Sequence, residues 1–226
     1  MPYRLHDDLS YCEIDGHLVF LDVLNDRYFR LPPALERTFV AHRDGEGATD
    51  SDVAALVDRD ILVDAQGTAG GHVAPPIERP VCSAVEQTST APPVPLPMLA
   101  AVDVFRIVLA TQLQLKRRGL KRTLDTLSSY RETSTLQTPA GAPADQQFLE
   151  AAAQFRRVRP YVPIETRCLL DSLSLTRFLA KRRLHATLVF GVTAEPFSAH
   201  CWVQAGRAVL NDTLGNVCAH TPIRAI

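Results

Sequence analysis

Over the first third of the chain, apolar and polar residues alternate in short runs, the period-two pattern of half-buried strands. Tyr11-Cys12-Glu13-Ile14 and Leu18-Val19-Phe20-Leu21 flank Asp15-Gly16, a turn of hairpin type. A third run, Tyr28-Phe29-Arg30-Leu31, follows Asn25-Asp26 and is halted by Pro32-Pro33. Pro33 suits the first turn of a helix reaching about His42. Thr49 or Asp50 caps a second helix over Val53, Ala54, Leu56 and Val57, and Ile61-Leu62-Val63 adds a last short strand. Residues 1–65 therefore read as a small three-stranded sheet with helices, similar to a winged helix.

The pattern then breaks. Residues 66–97 combine Gly67, Gly70 and Gly71 with Pro75, Pro76, Pro80, Pro92, Pro93, Pro95 and Pro97, with Ser and Thr between them. Such a stretch buries too little to offset its ordering entropy and reads as an extended, semi-rigid linker. Helical periodicity takes over in residues 98–226. Helices are predicted over Met98–Arg118, Lys121–Tyr130 and Asp145–Val158, and a fourth begins at Cys168 after Pro160 and Pro163. Leu169, Leu170, Leu173, Leu175, Phe178 and Leu179 surround the axis of that fourth helix, which marks it as buried and central. Thr187–Phe190, His200–Gln204 and Ala208–Asp212 follow as strands of an antiparallel sheet. The fold class is α+β.

Composition narrows the function. Hydrophobic content of 46% and charged content of 22% are ordinary for a globular protein. A net charge of −1 gives no electrostatic reason to expect nucleic acid or an anionic membrane. Five cysteines without a CxxC pair, and no secretory signal at the start, point to reduced thiols in a cytoplasm. The most apolar stretch, Met98–Ala110, is shorter than the roughly 20 residues of a membrane span.

Three residues carry the candidate chemistry: Cys168 at a helix start, and His200 and Asp212 on two successive strands. A thiol is nucleophilic as thiolate, a form that a helix N-terminus and an imidazolium both favour. A carboxylate fixes the tautomer and orientation of the ring. A nucleophile on a buried helix facing a sheet that carries His and Asp is a papain-like arrangement. Asn211 competes with Asp212 for the third role, with spacing favouring Asp212. Cys201 is the rival thiol; it follows His200 on a strand, so their side chains take opposite faces and Cys201 reads as core. His185 and His220 read as surface residues. A zinc site from Cys201, Cys218, His200 and His220 lacks paired ligands at tight spacing, so no metal is expected.

At Arg167-Cys168-Leu169, Gly191-Val192, Phe197-Ser198-Ala199-His200-Cys201-Trp202-Val203 and Asp212, the sequence resembles the B proteins of lasso-peptide biosynthesis, in the fused form. The steps of 32 residues from Cys to His and 12 from His to Asp are similar to that family's. Phe20-Leu21-Asp22 and Asp26-Arg27-Tyr28-Phe29-Arg30-Leu31 resemble its PqqD-like recognition element. The chain departs at Cys201, where a small residue is usual, at Gln204, where Glu is common, and near Leu184-His185, where a Gly is missing.

The resemblance implies a PqqD-like precursor-recognition domain (1–65), a linker (66–97) and a transglutaminase-like cysteine peptidase (98–226). The first would bind the leader of a lasso precursor peptide as an added strand, through Tyr28, Phe29, Arg30 and Leu31 with Val53, Leu56 and Val57. The peptidase would cut leader from core before an asparagine-synthetase-like cyclase closes the ring. No phosphate loop is present, so no cofactor is implied, and any ATP dependence would act through the cyclase. Two other functions fit the residues: acyl transfer to an amine, as in true transglutaminases, and a non-catalytic peptide- or DNA-binding adaptor, with the near-neutral charge against DNA.

Overall fold

A computed structural model describes residues 3–45, 50–65, 77–87, 98–135 and 145–226, the side chains at 50, 51 and 130–135 excepted. The chain forms two compact units, Met1–Ala74 and Pro75–Ile226.

In the first unit, β2 (Leu9–Ile14), β3 (His17–Asp22) and β4 (Arg27–Phe29) form an antiparallel sheet in the order β2-β3-β4. Asp15 and Gly16, with φ of 52° and 76°, make the two-residue turn between β2 and β3, matching the right-handed twist of the strands. Asp22 closes the next turn by accepting from the Asn25 N–H (3.0 Å), Asn25 Nδ2 (2.7 Å) and Arg27 Nε (3.1 Å). Helix α1 (Pro33–Asp44) starts on its proline and stops at Gly45 in the left-handed conformation, φ 77°. Helix α2 (Asp50–Val57) follows; Thr49, the other predicted cap, lies outside the described residues. Tyr11, Phe20, Phe29 and Phe39 hold the unit together, with Phe20 stacked on Phe29 at 5.3 Å and edge-on to Phe39 at 5.2 Å. The sequence reading of this unit omitted one element. Tyr3–Leu5 (β1) pairs with Leu62–Asp64 (β5) as a separate antiparallel ribbon.

The second unit is built around α5 (Cys168–Ala180), in which Leu173, Leu175, Phe178 and Leu179 are fully buried. It packs between α3 (Met98–Thr135), α4 (Asp145–Val158) and the strands β7 (Thr187–Thr193) and β8 (Ser198–Ala205). Arg177 ties α5 to α3 by donating to Thr111 Oγ1 (2.9 Å) and Gln114 Oε1 (2.6 Å), and Lys181 pairs with Asp103 at 2.5 Å. Helix α3 is broken at Gly119 (φ 74°, ψ −179°), between the two helices read from sequence. By length and apolarity its stretch Met98–Ser129 would suffice to cross a bilayer, more than the shorter run at its start suggested. Its Val104, Val108, Leu120, Leu124 and Leu127 are buried in this unit, whereas Met98, Leu99, Val102, Phe105, Leu109 and Leu113 are exposed.

The sheet has the order β10-β7-β8-β9-β6, with β6 (Cys82–Ser83), β9 (Ala208–Val209) and β10 (Thr221–Ala225). Three sequence readings need correction here. Strand β9 ends at Val209, so Asp212 stands on the loop beyond it. Helix α6 (Leu214–Cys218) and β10 were not foreseen. Pro222 argues against a strand, but β10 is an edge strand whose register shifts between Pro222 and Arg224, and an edge or bulge tolerates proline.

The third correction concerns the supposed linker. Residues 66–76 and 88–97 lie outside the described residues, but residues 77–87 belong to the second unit. Strand β6 pairs in parallel with β9, the Val81 N–H donates to Arg207 O (2.9 Å), and the Ala84 N–H donates to Val209 O (2.8 Å). Ser83, buried to 2% exposure, donates its hydroxyl to Asp212 O at 2.5 Å. A two-residue ladder and the hydrogen bonds flanking it hold this strap.

A fragment beginning at residue 98 should therefore be less stable than one beginning at residue 75. The hydrogen bonds of Val81, Ser83 and Ala84, at about 1 kcal/mol each, by themselves correspond to a Tm lower by roughly 6–12 °C for a domain of this size. Thermal unfolding of the two fragments measures this.

Candidate active site

Cys168 is the first residue of α5 and is exposed, as a nucleophile requires. The turn before it is clamped by Arg159, a residue without signal in the sequence. Arg159 is 5% exposed and donates to Asp171 Oδ1 (2.6 Å), Ile164 O (3.0 Å) and Glu165 O (3.1 Å). One guanidinium thus joins the approach segment to the first turn of α5. Burial pushes the Asp171 carboxyl up despite the Arg159 partner, and the Cys168 charge adds to the effect.

Facing the helix start is β8. Ser172 donates to Cys201 O (3.0 Å), fixing α5 on the strand at the residue after His200. Asn211 Oδ1 accepts from the Val203 N–H (2.8 Å), while its Nδ2 donates to Ser172 Oγ (2.8 Å). Asn211 therefore braces strand, helix and loop. Asp212 is the residue that reaches the imidazole, its Oδ2 accepting from His200 Nε2. Both side chains are mostly buried, at 19% and 16% exposure.

Electrostatics follow from this placement. Hydrogen bonds from Cys201 and His200, with the His200 charge, lower the Cys168 thiol from 9.0 to about 4, against the cost of burial. His200 is raised, first by its hydrogen bond with Cys168 and further by Asp212. Cys201 is pushed well above the ordinary thiol value by Cys168 and by burial, so it stays protonated. Its 2% exposure agrees with a core residue, but its thiol and backbone also interact with Cys168, which strand alternation did not suggest.

His200 shares a strand face with Trp202, and the rings stack at 6.3 Å. His220 is not a surface residue: it is 9% exposed and its ring lies 5.3 Å from that of His200. Its neighbours in sequence gave no hint of burial, because α6 and β10 carry it inward. Gly191 lies opposite His200 in the β7–β8 register, where a Cβ would come within 2.7 Å of the Trp202 ring. Gln204 accepts from the Trp202 indole N–H (3.2 Å) and donates to Glu78 O (2.6 Å) and Gly206 O (2.7 Å). A Glu in that place would set a carboxylate against two carbonyls. A cleft of about 330 Å³ opens beside this stack, between Ile77–Pro80 and Trp202, Cys218 and His220. Among the described residues, no group of three or more His, Cys, Asp and Glu is placed to hold a metal ion.

A profile of the transglutaminase-like superfamily matches residues 107–225, more than half of the chain. The chain belongs to the transglutaminase-like superfamily. Over 45 residues it is also 47% identical to the microcin J25-processing protein McjB of Escherichia coli. That match covers 20% of this chain and 22% of the relative. No solved structure matches. The superfamily region contains Cys168, His200 and Asp212, together with Arg159, Gln204 and His220.

The residues singled out in the first unit fall into two groups. Leu31, Val53 and Leu56 are core residues (7%, 6% and 0% exposed), so their side chains form no accessible wall. Tyr28, Phe29 and Val57 are half-buried and Arg30 is exposed. Strand β4 is an edge of its sheet, but spans Arg27–Phe29 rather than Tyr28–Leu31. A cleft of about 250 Å³ lies along it, lined by Phe29 and Arg27 and by Leu24, Asn25 and Arg59, which sequence reasoning did not single out.

Two outcomes follow. Arg159→Ala leaves Asp171 without its cation and two carbonyls without donors, and should cost about 3 kcal/mol in chemical denaturation. Gly191→Ala forces the buried Trp202 ring aside and should cost about 1–3 kcal/mol, with altered near-ultraviolet dichroism of Trp202, the single tryptophan.

Proposed function

We propose that the chain is a cysteine peptidase of lasso-peptide biosynthesis, which binds the leader of a precursor peptide and cuts it from the core. The observation that carries this reading is the placement of a helix-start thiol against His200, whose ring is bonded to Asp212, an arrangement that lowers the thiol to about 4. In this scheme Cys168 attacks the scissile carbonyl, and His200, protonated in the resting pair, gives its proton to the leaving amine. His200 then activates the water that hydrolyses the thioester, and Asp212 orients the ring throughout. The Cys168 N–H, at the first position of α5, is a donor for the tetrahedral oxyanion. The superfamily match supports the thiol chemistry. The partial likeness to a processing protein for microcin J25 supports the pathway.

Leader recognition is assigned to the first unit, where β4 lies at the edge of its sheet, a place for an extended peptide, and the cleft beside it receives a side chain. The freed core would pass to an asparagine-synthetase-like cyclase, which would account for any need for ATP. The machinery is placed in the cytoplasm, where a thiolate persists.

The test is incubation of the whole chain with its precursor, with and without the cyclase. Cys168→Ala should abolish cleavage while leaving leader affinity unchanged, and Asp212→Asn should retain more activity than His200→Ala. A charge at Tyr28 should weaken leader binding about tenfold or more by fluorescence anisotropy. Uncut precursor with wild-type protein and cyclase would refute the reading, and a product amide instead of a free acid would show acyl transfer. Thiol reactivity gives a check that needs no substrate. Iodoacetamide should label Cys168 at pH 6 far faster than an ordinary thiol, because the thiolate is lost only as pH falls through about 4.

A further inference from the structure

We propose that Asn216 is a positioning residue of this site, holding Asp212 on His200 with its side chain and His220 in place with its main chain. Asn216 Nδ2 donates to Asp212 Oδ2 at 2.8 Å, the same oxygen that meets His200, and lies 3.4 Å from His200 Nε2. The Thr213 N–H takes the other oxygen, Oδ1, at 2.7 Å. The carboxylate is thus held through both oxygens, and Asn216 adds a second donor at Oδ2 that restrains this oxygen from swinging off the imidazole. Asn216 is itself anchored, because its N–H donates to Thr213 Oγ1 (3.3 Å) and its carbonyl accepts from His220 Nδ1–H (2.8 Å). That second bond assigns the His220 proton to Nδ1 and fixes the ring that packs 5.3 Å from His200.

The role requires an amide. The side chain must donate to the Asp212 carboxylate, so Asp would repel it and Leu would leave it to the Thr213 N–H and His200 alone. Asn216 is exposed, and the cap of α6 is the Thr213 hydroxyl, so neither burial nor capping explains its side-chain bond to Asp212. Asp212 raises His200 and His200 helps to lower Cys168, so loosening Asp212 moves the ion pair in a definite sense. His200 falls, Cys168 rises, and the thiolate fraction drops first at the acid end.

This inference rests on Asp212 serving His200, and its test is independent of any leader peptide. The pH dependence of iodoacetamide labelling at Cys168 is followed by peptide mass spectrometry in the full chain. Asn216→Ala should move the acid limb upward by about one pH unit, slowing labelling about three- to tenfold at pH 3.5–4.5 and little at pH 6, with an unchanged Tm; Asn216→Gln, which keeps the donor, should recover most of the rate. If the alanine variant fails to fold, Asn216→Leu supplies the same comparison. Asp212→Asn serves as reference. A shift in Asp212→Asn with profiles of Asn216→Ala or Asn216→Leu that overlay the wild type would overturn the role of Asn216. An unmoved Asp212→Asn would overturn the site reading and this proposal together.

Discussion

A thiolate in a partly buried site is unstable unless donors and positive charge surround it, because burial alone drives a thiol toward its neutral form. Cys12 shows the default, its buried thiol being pushed up to about 11. Cys168 moves the other way, to about 4. The difference lies in position. Cys168 opens a helix and faces the strand residues His200 and Cys201, and the elements of the second unit secure that facing arrangement. Arg159 fixes the approach to the helix, Ser172 and Asn211 fasten helix to strand, and α6 carries the groups that hold Asp212.

The strap of residues 77–87 extends this support around the far edge of the sheet. Ser83 holds the Asp212 carbonyl, Glu86 accepts from the Leu214 N–H at 3.2 Å, and Gln204 binds the Glu78 carbonyl. Gln204, a departure from the resembled family, is thus matched to its surroundings. Its amide gives two donors to two carbonyls and one acceptor to the indole of Trp202, a set that a carboxylate cannot supply. Trp202 in turn supports His200, and Gly191 makes room for its ring. A chain of contacts therefore leads from the segment ahead of α3 to the imidazole.

The strands and helices with strong local patterns were legible. The Asp15-Gly16 hairpin, α1 starting on Pro33, α4 over Asp145–Val158 and the buried α5 all follow from turn chemistry and apolar spacing. Cys168, His200 and Asp212 were legible as a spaced set. Elements without a pattern of their own were not. Strand β6 has two residues among prolines, α6 has five residues, and β10 contains Pro222; neighbouring elements satisfy the backbone of each. Leu31, Val53 and Leu56 could have been placed on a surface or in a core, and apolar character by itself cannot separate the two.

The sequence by itself determined which chemistry is present: one thiol at a helix start, an imidazole and a carboxylate at fixed steps, and apolar runs that dictate an α+β chain. Tertiary structure alone decided how that chemistry is tuned. Ser83, Arg159 and the stretch carrying Asn211, Asn216 and His220 approach the site from three separate parts of the chain, and their partnerships with Asp171, Asp212, Ser172 and His200 depend on distance and burial. These are properties of the folded chain, because a hydrogen bond or a desolvated charge exists only between groups that packing has brought together.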